Sequence, residues 1–491
     1  MREGKSTGRG AARAIGKDPA RFGVGFELAI YLFTLALLCW PLVINGRPFY
    51  SADSASYLRG GELGFKTGLA ILERPFQRAN PSAAEDPQAV VSQAISKSGG
   101  ARSAIYSVVA YLFRGPGESL LALAIGQAAV VALMITSLRR LIAPQSELLP
   151  TLATTAALAL FTSAGWSAAY AVPDIFAGIA VGAAAMLTVY FEALSNRLRC
   201  AFVALIAFCI TVHGSHLPIT IITLIAGSIV SFRPKRLSWR RAAIFASPVL
   251  AGVAAILVTS YAAFGELSLA PKRYPIQLAR SVADGPGAWY LHDHCATEHY
   301  AICEVFGPNP PRNVGEFLWG DNGVRNRATP EQMDRIRAEE STIVRRAALA
   351  YPGTQITRSA SNALLQVVTF GTKELVFGQE VMGDGRTLVQ IGPDRSGLKV
   401  VGKILIYLSF IASIVFLIVV RRRVTPREMS LVGAVVIGLL ANAAVCGVLS
   451  GVADRYQGRV AWVLPAVAVM IFLRLLRGTK PAETSANVTL A

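Results

Sequence analysis

The sequence predicts an all-α polytopic membrane protein of about ten transmembrane helices, and three observations carry that expectation. Apolar stretches recur ten times along the 491 residues. Lys and Arg crowd alternate connections between them. The chain is 53% hydrophobic and only 16% charged, with 43 Gly, which excludes a soluble enzyme of this length.

The expected spans are residues 26–44, 118–137, 151–167, 174–192, 200–213, 217–231, 242–264, 401–420, 430–449 and 460–476. A crossing takes roughly 20 apolar residues, so the fifth and sixth are short. Basic residues fill the N-terminal tail (Arg2, Lys5, Arg9, Arg13, Lys17, Arg21) and the connections holding Arg139 and Arg140, Arg197 and Arg199, Arg233 to Arg241, Arg421 to Arg427, and Arg474 to Lys480. With both termini on one side and an even number of spans, all of these clusters fall in the cytoplasm. The net charge of +18 then follows from topology and contact with anionic lipid headgroups, and no aromatic-interleaved basic domain for nucleic acid is visible. The first span runs into Asn45, Gly46 and Arg47 without a small-x-small cleavage site, so it reads as a retained signal anchor.

The expected organisation is a basic cytoplasmic tail (1–25), a seven-span module (26–264), an outer loop or subdomain (265–400), three C-terminal spans (401–476) and a second cytoplasmic tail (477–491). Residues 1–21 and 478–491 read as disordered. The two long outer loops, 46–117 and 265–400, are where chemistry is expected. In the first, Asp53 sits near the water–lipid boundary, and the segments Ala89 to Ile95 and Arg102 to Leu112 have the mixed helical patterning of interfacial helices. In the second, Pro330 to Ala350 reads as a solvated helix with Thr329 as N-cap and Pro330 at its first position.

Three local wordings stand in order along the chain: Ala52-Asp53-Ser54-Ala55-Ser56-Tyr57-Leu58 after the first span, Val172-Pro173-Asp174-Ile175-Phe176-Ala177-Gly178 at the head of the fourth, and Asp454-Arg455-Tyr456-Gln457-Gly458-Arg459 before the last. With an acidic residue after the first span, two interfacial helices and seven spans before a long outer loop, the chain resembles the GT-C glycosyltransferases. These are polytopic enzymes that take a sugar from a polyprenyl-phosphate lipid, and the likeness is to bacterial members related to aminoarabinose transferases and protein O-mannosyltransferases. It covers residues 26–264 best, and the second loop matches no motif. The resemblance implies a GT-C-like fold in the bacterial inner membrane, a periplasmic active site, a polyprenyl-phosphate sugar donor and a glycan, lipid or protein acceptor of the envelope. One departure stands out. Many members carry paired acidic residues in the first loop, whereas here Ser54 and Ala55 follow Asp53 and Glu62 is the next carboxylate. That argues against a bound divalent metal, and no cofactor is expected.

For such a transfer a carboxylate must take the proton of the acceptor hydroxyl, and Asp53 is the candidate base; the alternative is that it caps the following helix together with Ser54. Asp174, after Pro173, reads first as a cap at a helix start and second as support for the site. Arg455 and Arg459 run against the charge bias of the outer connections, and a guanidinium there can hold a lipid phosphate bidentately. Lys272, Arg273 and Arg280 could share that task. Tyr57, Glu62, Arg102, His213 and His216 complete the supporting candidates, the two histidines on one face of one turn at the outer end of the fifth span. Cys295 and Cys303, eight apart in an oxidising compartment, are expected to form a disulfide. In a cytoplasmic protein, the same cluster with His292, His294 and His299 would call for zinc.

Two other functions compete. A polysaccharide polymerase or ligase would rely on Arg and His of the long loop instead of Asp53. A transporter or flippase would place charges near the bilayer midplane and show related halves, but the span interiors here are nearly free of ionisable residues and the halves do not match. No P-loop or dinucleotide fingerprint is present.

Overall fold

The computed structural model describes residues 23–73, 102–231, 238–375, 377, 380–383, 386–389 and 395–477. The helix expected at Ala89 to Ile95, both tails and most of the basic run from Arg233 lie outside these residues. The helices are α1 (Val24–Leu38), α2 (Trp40–Asn45), α3 (Ala52–Glu73), α4 (Ala104–Leu112), α5 (Leu121–Ile142), α6 (Leu148–Phe161), α7 (Ser163–Ala168), α8 (Ile175–Val189), α9 (Asn196–Val212), α10 (His216–Ser231) and α11 (Trp239–Phe264). The outer segment holds α12 (Ile276–Asp284), α13 (Pro286–Glu298), α14 (Ala301–Phe306), α15 (Val314–Trp319), α16 (Val324–Arg327), α17 (Pro330–Ala350) and α18 (Pro352–Val368). A short antiparallel pair follows, β1 (Glu380–Gly383) and β2 (Arg386–Val389), with Glu380 opposite Val389. Then come α19 (Ser396–Val420), α20 (Pro426–Leu449), α21 (Asp454–Ala461) and α22 (Val463–Leu476).

This is a polytopic helical membrane protein. Among the described residues six segments are long and apolar enough to cross a bilayer, namely Val24–Asn45, Leu121–Ile142, Trp239–Phe264, Ser396–Val420, Pro426–Leu449 and Asp454–Leu476. Six of the ten expected spans thus reach full length, and shorter apolar helices stand among the remainder. The reason is local. The expected third span breaks at Thr162, whose backbone is extended and whose hydroxyl caps the next helix by accepting from the Ala164 N–H. The fourth is a helix of 15 residues, about 22 Å long, short of a hydrocarbon core of roughly 30 Å.

That short helix is the hub of the bundle. All 15 residues of α8 are buried, and it is apolar on every side, as an enclosed helix must be. Small residues set how closely its neighbours approach. A Cβ on Gly438 of α20 would come within 2.6 Å of Val181, and one on Gly178 would lie 2.6 Å from both the Arg459 carbonyl oxygen and the Trp462 Nε1. At the periphery, α11 and α19 leave large apolar side chains exposed, among them Leu250, Val258, Ile404, Ile411 and Val415. Such surfaces belong against lipid tails.

The basic connections gather at one end of the bundle through specific pairs. Glu27 at the start of α1 takes Arg139 and Arg140 from the end of α5. Arg474 meets Glu428 at 2.6 Å, Arg477 meets Glu147 at 3.0 Å, and Ser430 donates to the Val230 carbonyl at 2.8 Å. At the other end the outer segment builds its own core from Leu278, Val282, Leu291, Ile302, Phe317, Ile336 and Ile343. Cys295 and Cys303 are joined there as a disulfide. Thr329 and Gln332 cap α17 reciprocally, with Pro330 in the first turn. The chain then returns to the membrane core, where Phe370, Leu375 and Phe377 are buried, the last with its ring edge-on to Phe49 at 5.0 Å.

The close approach at Gly178 gives a direct check. Gly178→Ala is expected to lower stability by about 1–3 kcal/mol, because backbone rather than a flexible side chain stands in the way. Gly126→Ala on α5 meets nothing within 4 Å and should cost nothing. Thermal unfolding of the two purified variants reads the difference; equal midpoints would mean that α8 and α21 are not packed this closely.

Candidate functional site

The end of the bundle opposite the basic connections holds the only large convergence of unlike charges that links the first loop, the fourth apolar stretch and the last among the described residues. It is built from the backbone upward. Phe49 N–H donates to the Ala169 carbonyl and Ala171 N–H to the Phe49 carbonyl, both at 2.9 Å, a two-bond bridge that pins the entry to α3 against the approach to α8. Ser54 Oγ accepts the Ser51 N–H at 3.1 Å and donates to the Ala171 carbonyl at 2.9 Å. The capping expected to be shared with Asp53 thus goes to Ser54. Asp53 turns its oxygens to arginines instead: Oδ1 accepts from Arg102 Nη2 at 2.5 Å, and Oδ2 lies 3.7 Å from Arg455 Nη1.

Both arginines are set by their own supports. Ser103 caps α4 by accepting the Tyr106 N–H, and its hydroxyl donates to the Thr211 carbonyl at 2.8 Å, which places Arg102 beside α9. Arg455 lies on helix, not on the loop expected from the sequence, because α21 begins at Asp454. Three contacts fix that start. The Gln366 side-chain amide donates to the Ala453 carbonyl and accepts its N–H, both at 2.9 Å, Lys403 meets Asp454 at 3.0 Å, and Gly371 N–H donates to the Asp454 carbonyl.

One turn further, Arg459 has a different fate. Its Nη1 donates to Asp174 Oδ1 at 2.8 Å, its Nη2 to Ser215 Oγ at 2.9 Å, and its Nε and Nη2 to Asn442 Oδ1. At 1% side-chain exposure it is enclosed by these partners, and it also lines the cleft described below. The same pair corrects Asp174. It stands at the N-cap position of α8 but makes no side-chain cap bond, because its carboxylate is drawn to the guanidinium.

The other expected residues fall into place around this core. Tyr57, one turn beyond Asp53, is buried with its ring edge-on to Tyr106 at 4.7 Å. Glu62 pairs with Lys66 at 2.8 Å, and its position nine residues beyond Asp53 on the same helix puts it about 13 Å away along the axis. His213 and His216 do not share a helical turn: α9 ends at Val212, so His213 is its C-cap and His216 opens α10. His213 Nδ1 meets Ser215 Oγ at 2.8 Å, joining it to the Arg459 network, and His216 Nδ1 meets the Cys209 carbonyl at 2.7 Å. Lys272 and Arg273 are engaged within the outer segment, Lys272 with Glu266 and Asp334 and Arg273 with Glu340 at 2.9 Å. Arg280 pairs with Asp284 there.

A narrow cleft of about 20 Å³, room for about one water molecule, lies between these elements, lined by Trp166, Tyr170, Asp174, Glu374, Arg455 and Arg459 among others. Glu374 carries no sequence signal, being one carboxylate in a loop without a motif. Its Oε2 is buried with no hydrogen-bond partner among the described residues, and burial raises its carboxyl above the ordinary carboxylate range. Asn442 was missed as well. An amide inside an otherwise apolar span was the available sign that something polar must meet it.

The class that fold and site define is a polytopic helical membrane protein with a charged cleft at one end of its bundle. Compared with known protein families, characterised proteins and solved structures, the chain matches none of them.

Glu374 gives a pH-dependent expectation. Its folded-state pKa is raised, so the stability linked to its protonated form is present below the unfolded-state range and lost as pH rises through the shifted value. Glu374→Gln stays neutral throughout and should therefore raise the unfolding temperature at neutral pH, with the gain vanishing in acid. A pH series of thermal melts on both proteins decides it; a gain that persists unchanged in acid would contradict the raised pKa.

Proposed function

We propose that this protein is a membrane glycosyltransferase of the GT-C type, moving a sugar from a polyprenyl-phosphate donor to a glycan, lipid or protein acceptor of the bacterial envelope. One observation carries the reading: Asp53, Arg102 and Arg455, from three separate parts of the chain, converge at the end of the bundle opposite the basic connections, where Arg455 also lines the narrow cleft. An inverting transfer needs a base for the acceptor hydroxyl and a cation for the departing phosphate, and this set offers both. Asp53 takes the proton as the acceptor oxygen attacks the anomeric carbon, and Arg455 holds the phosphate that leaves with the bonding electron pair. Asp174 and Arg459 hold the frame. The long loop's cations Lys272 and Arg273 already face carboxylates, which favours this cleft over a polymerase site in that loop.

In this reading the chain crosses the inner membrane ten times, the shorter helices included, with both termini cytoplasmic and the cleft periplasmic. Cysteine introduced by Lys235→Cys should stay unlabelled by an impermeant thiol reagent in intact cells and react after lysis. Labelling in intact cells would reverse the orientation.

The enzymatic reading is tested with polyprenyl-linked sugars extracted from a strain lacking the protein, supplied to membranes that contain it. Asp53→Asn should cut transfer by a factor on the order of 10² to 10⁴ without loss of expression. Arg455→Ala should impair it severely and Arg455→Lys recover part, because lysine keeps the charge but not the planar fork. Envelope glycans and polyprenyl-linked sugars identical with and without the protein would remove the proposal.

A further inference from the structure

The resting site raises a conflict that its own geometry resolves. A base needs an available lone pair, yet both oxygens of Asp53 face guanidinium groups. The two contacts differ in kind. Arg102 Nη2 is at 2.5 Å from Oδ1, a charge-assisted hydrogen bond, whereas Arg455 Nη1 at 3.7 Å from Oδ2 is beyond hydrogen-bond reach and holds by charge alone. Arg455 is also the loosely held member of its own turn. Its side chain is 27% exposed, while Arg459, four residues on, is 1% exposed and donates to Asp174, Ser215 and Asn442. Arg455 lines the narrow cleft as well, so an anion entering there meets its guanidinium.

We infer that Arg455 is exchanged between Asp53 and the phosphate of the lipid donor, so that donor binding unmasks the base. This rests on the reading of the cleft as a polyprenyl-phosphate site. Without donor, the Arg455 guanidinium stands before Oδ2 and blocks the approach of an acceptor hydroxyl. A phosphate monoester or diester carries at least as much charge as the carboxylate and matches the arginine fork, so it draws Arg455 away. Arg102 stays on Oδ1 and keeps the carboxylate oriented. Oδ2 is then free to take the acceptor proton. Binding is therefore ordered, donor before acceptor, and water or acceptor is not activated at an empty donor site.

Competition for one guanidinium has a signature that simple loss of charge does not. The probe is undecaprenyl phosphate, titrated into the full-length protein in nanodiscs of zwitterionic lipid and followed by native mass spectrometry. Undecaprenol and inorganic phosphate form separate arms. Arg455→Ala should weaken undecaprenyl phosphate binding by about tenfold or more. Asp53→Asn, although it removes the base, should tighten it by about two- to fivefold, since the phosphate no longer has to displace a partly exposed ion pair. In the double variant that gain should disappear, because the two residues act through one contact. If Arg455→Ala binds the lipid as wild type does, the phosphate reading of the cleft itself fails. If binding depends on Arg455 but Asp53→Asn leaves affinity unchanged, or tightens it equally in the double variant, the exchange is overturned and the reading stands. Competition by inorganic phosphate at concentrations equal to those of the lipid would assign the exchange to free phosphate and overturn the lipid donor as its trigger. Undecaprenol competing as well as its phosphate would likewise overturn it, since the chain and not the charge would then be recognised.

Discussion

The ion pair between Arg459 and Asp174 is the contact on which the end of the bundle opposite the basic connections depends. It joins the head of the central helix to the start of the last membrane segment at 2.8 Å, with both side chains nearly sealed from solvent. Two charges in such a place are costly to desolvate, and removing either partner would strand the other at about 3–5 kcal/mol. The site meets that cost by adding partners: Ser215 and Asn442 accept further guanidinium hydrogens, and His213 meets Ser215. Gly178, one turn into the central helix, lets the two backbones close to the distance the pair requires.

From that anchor the division of labour along one helical turn follows. Arg455 and Arg459 are four apart, so they leave α21 on the same face. The inner one meets the buried end of α8 and is immobilised. The outer one reaches past it to Asp53 and borders the cleft. An enclosed and a partly exposed guanidinium on one turn suit a site that must keep its frame while it receives and releases an anion, the use proposed above.

The outer segment contributes more than a cover. Its helices α12 to α17 carry an independent core and a disulfide, so they hold shape without the membrane's help. Its last helix, α18, packs where a Cβ on Gly447 would meet the Asn362 carbonyl at 2.6 Å, and Gln366 clamps the backbone before α21. The same stretch then delivers Glu374 to the cleft. The loop with no recognisable motif thus sets the position of Arg455 from behind.

Sequence alone determined what depends on composition and period: a helical membrane protein, basic connections collected at one end, a capped solvated helix at Pro330, and Asp53 and Arg455 as residues worth watching. These are properties of short windows, where lipid, water and the 3.6-residue turn impose their pattern directly. Tertiary structure decided what depends on partners remote in sequence. That Arg459 is enclosed while Arg455 stays partly exposed was illegible, since both are arginines on one short stretch and only the 285-residue link to Asp174 tells them apart. The same holds for Asp174, whose place at a helix start read as a cap until a guanidinium drew its carboxylate elsewhere. Glu374 was silent because its character comes from burial, which no neighbour in sequence supplies. Several expected spans are short or broken helices, because an enclosed helix such as α8 is held by the helices around it and need not match the bilayer by itself.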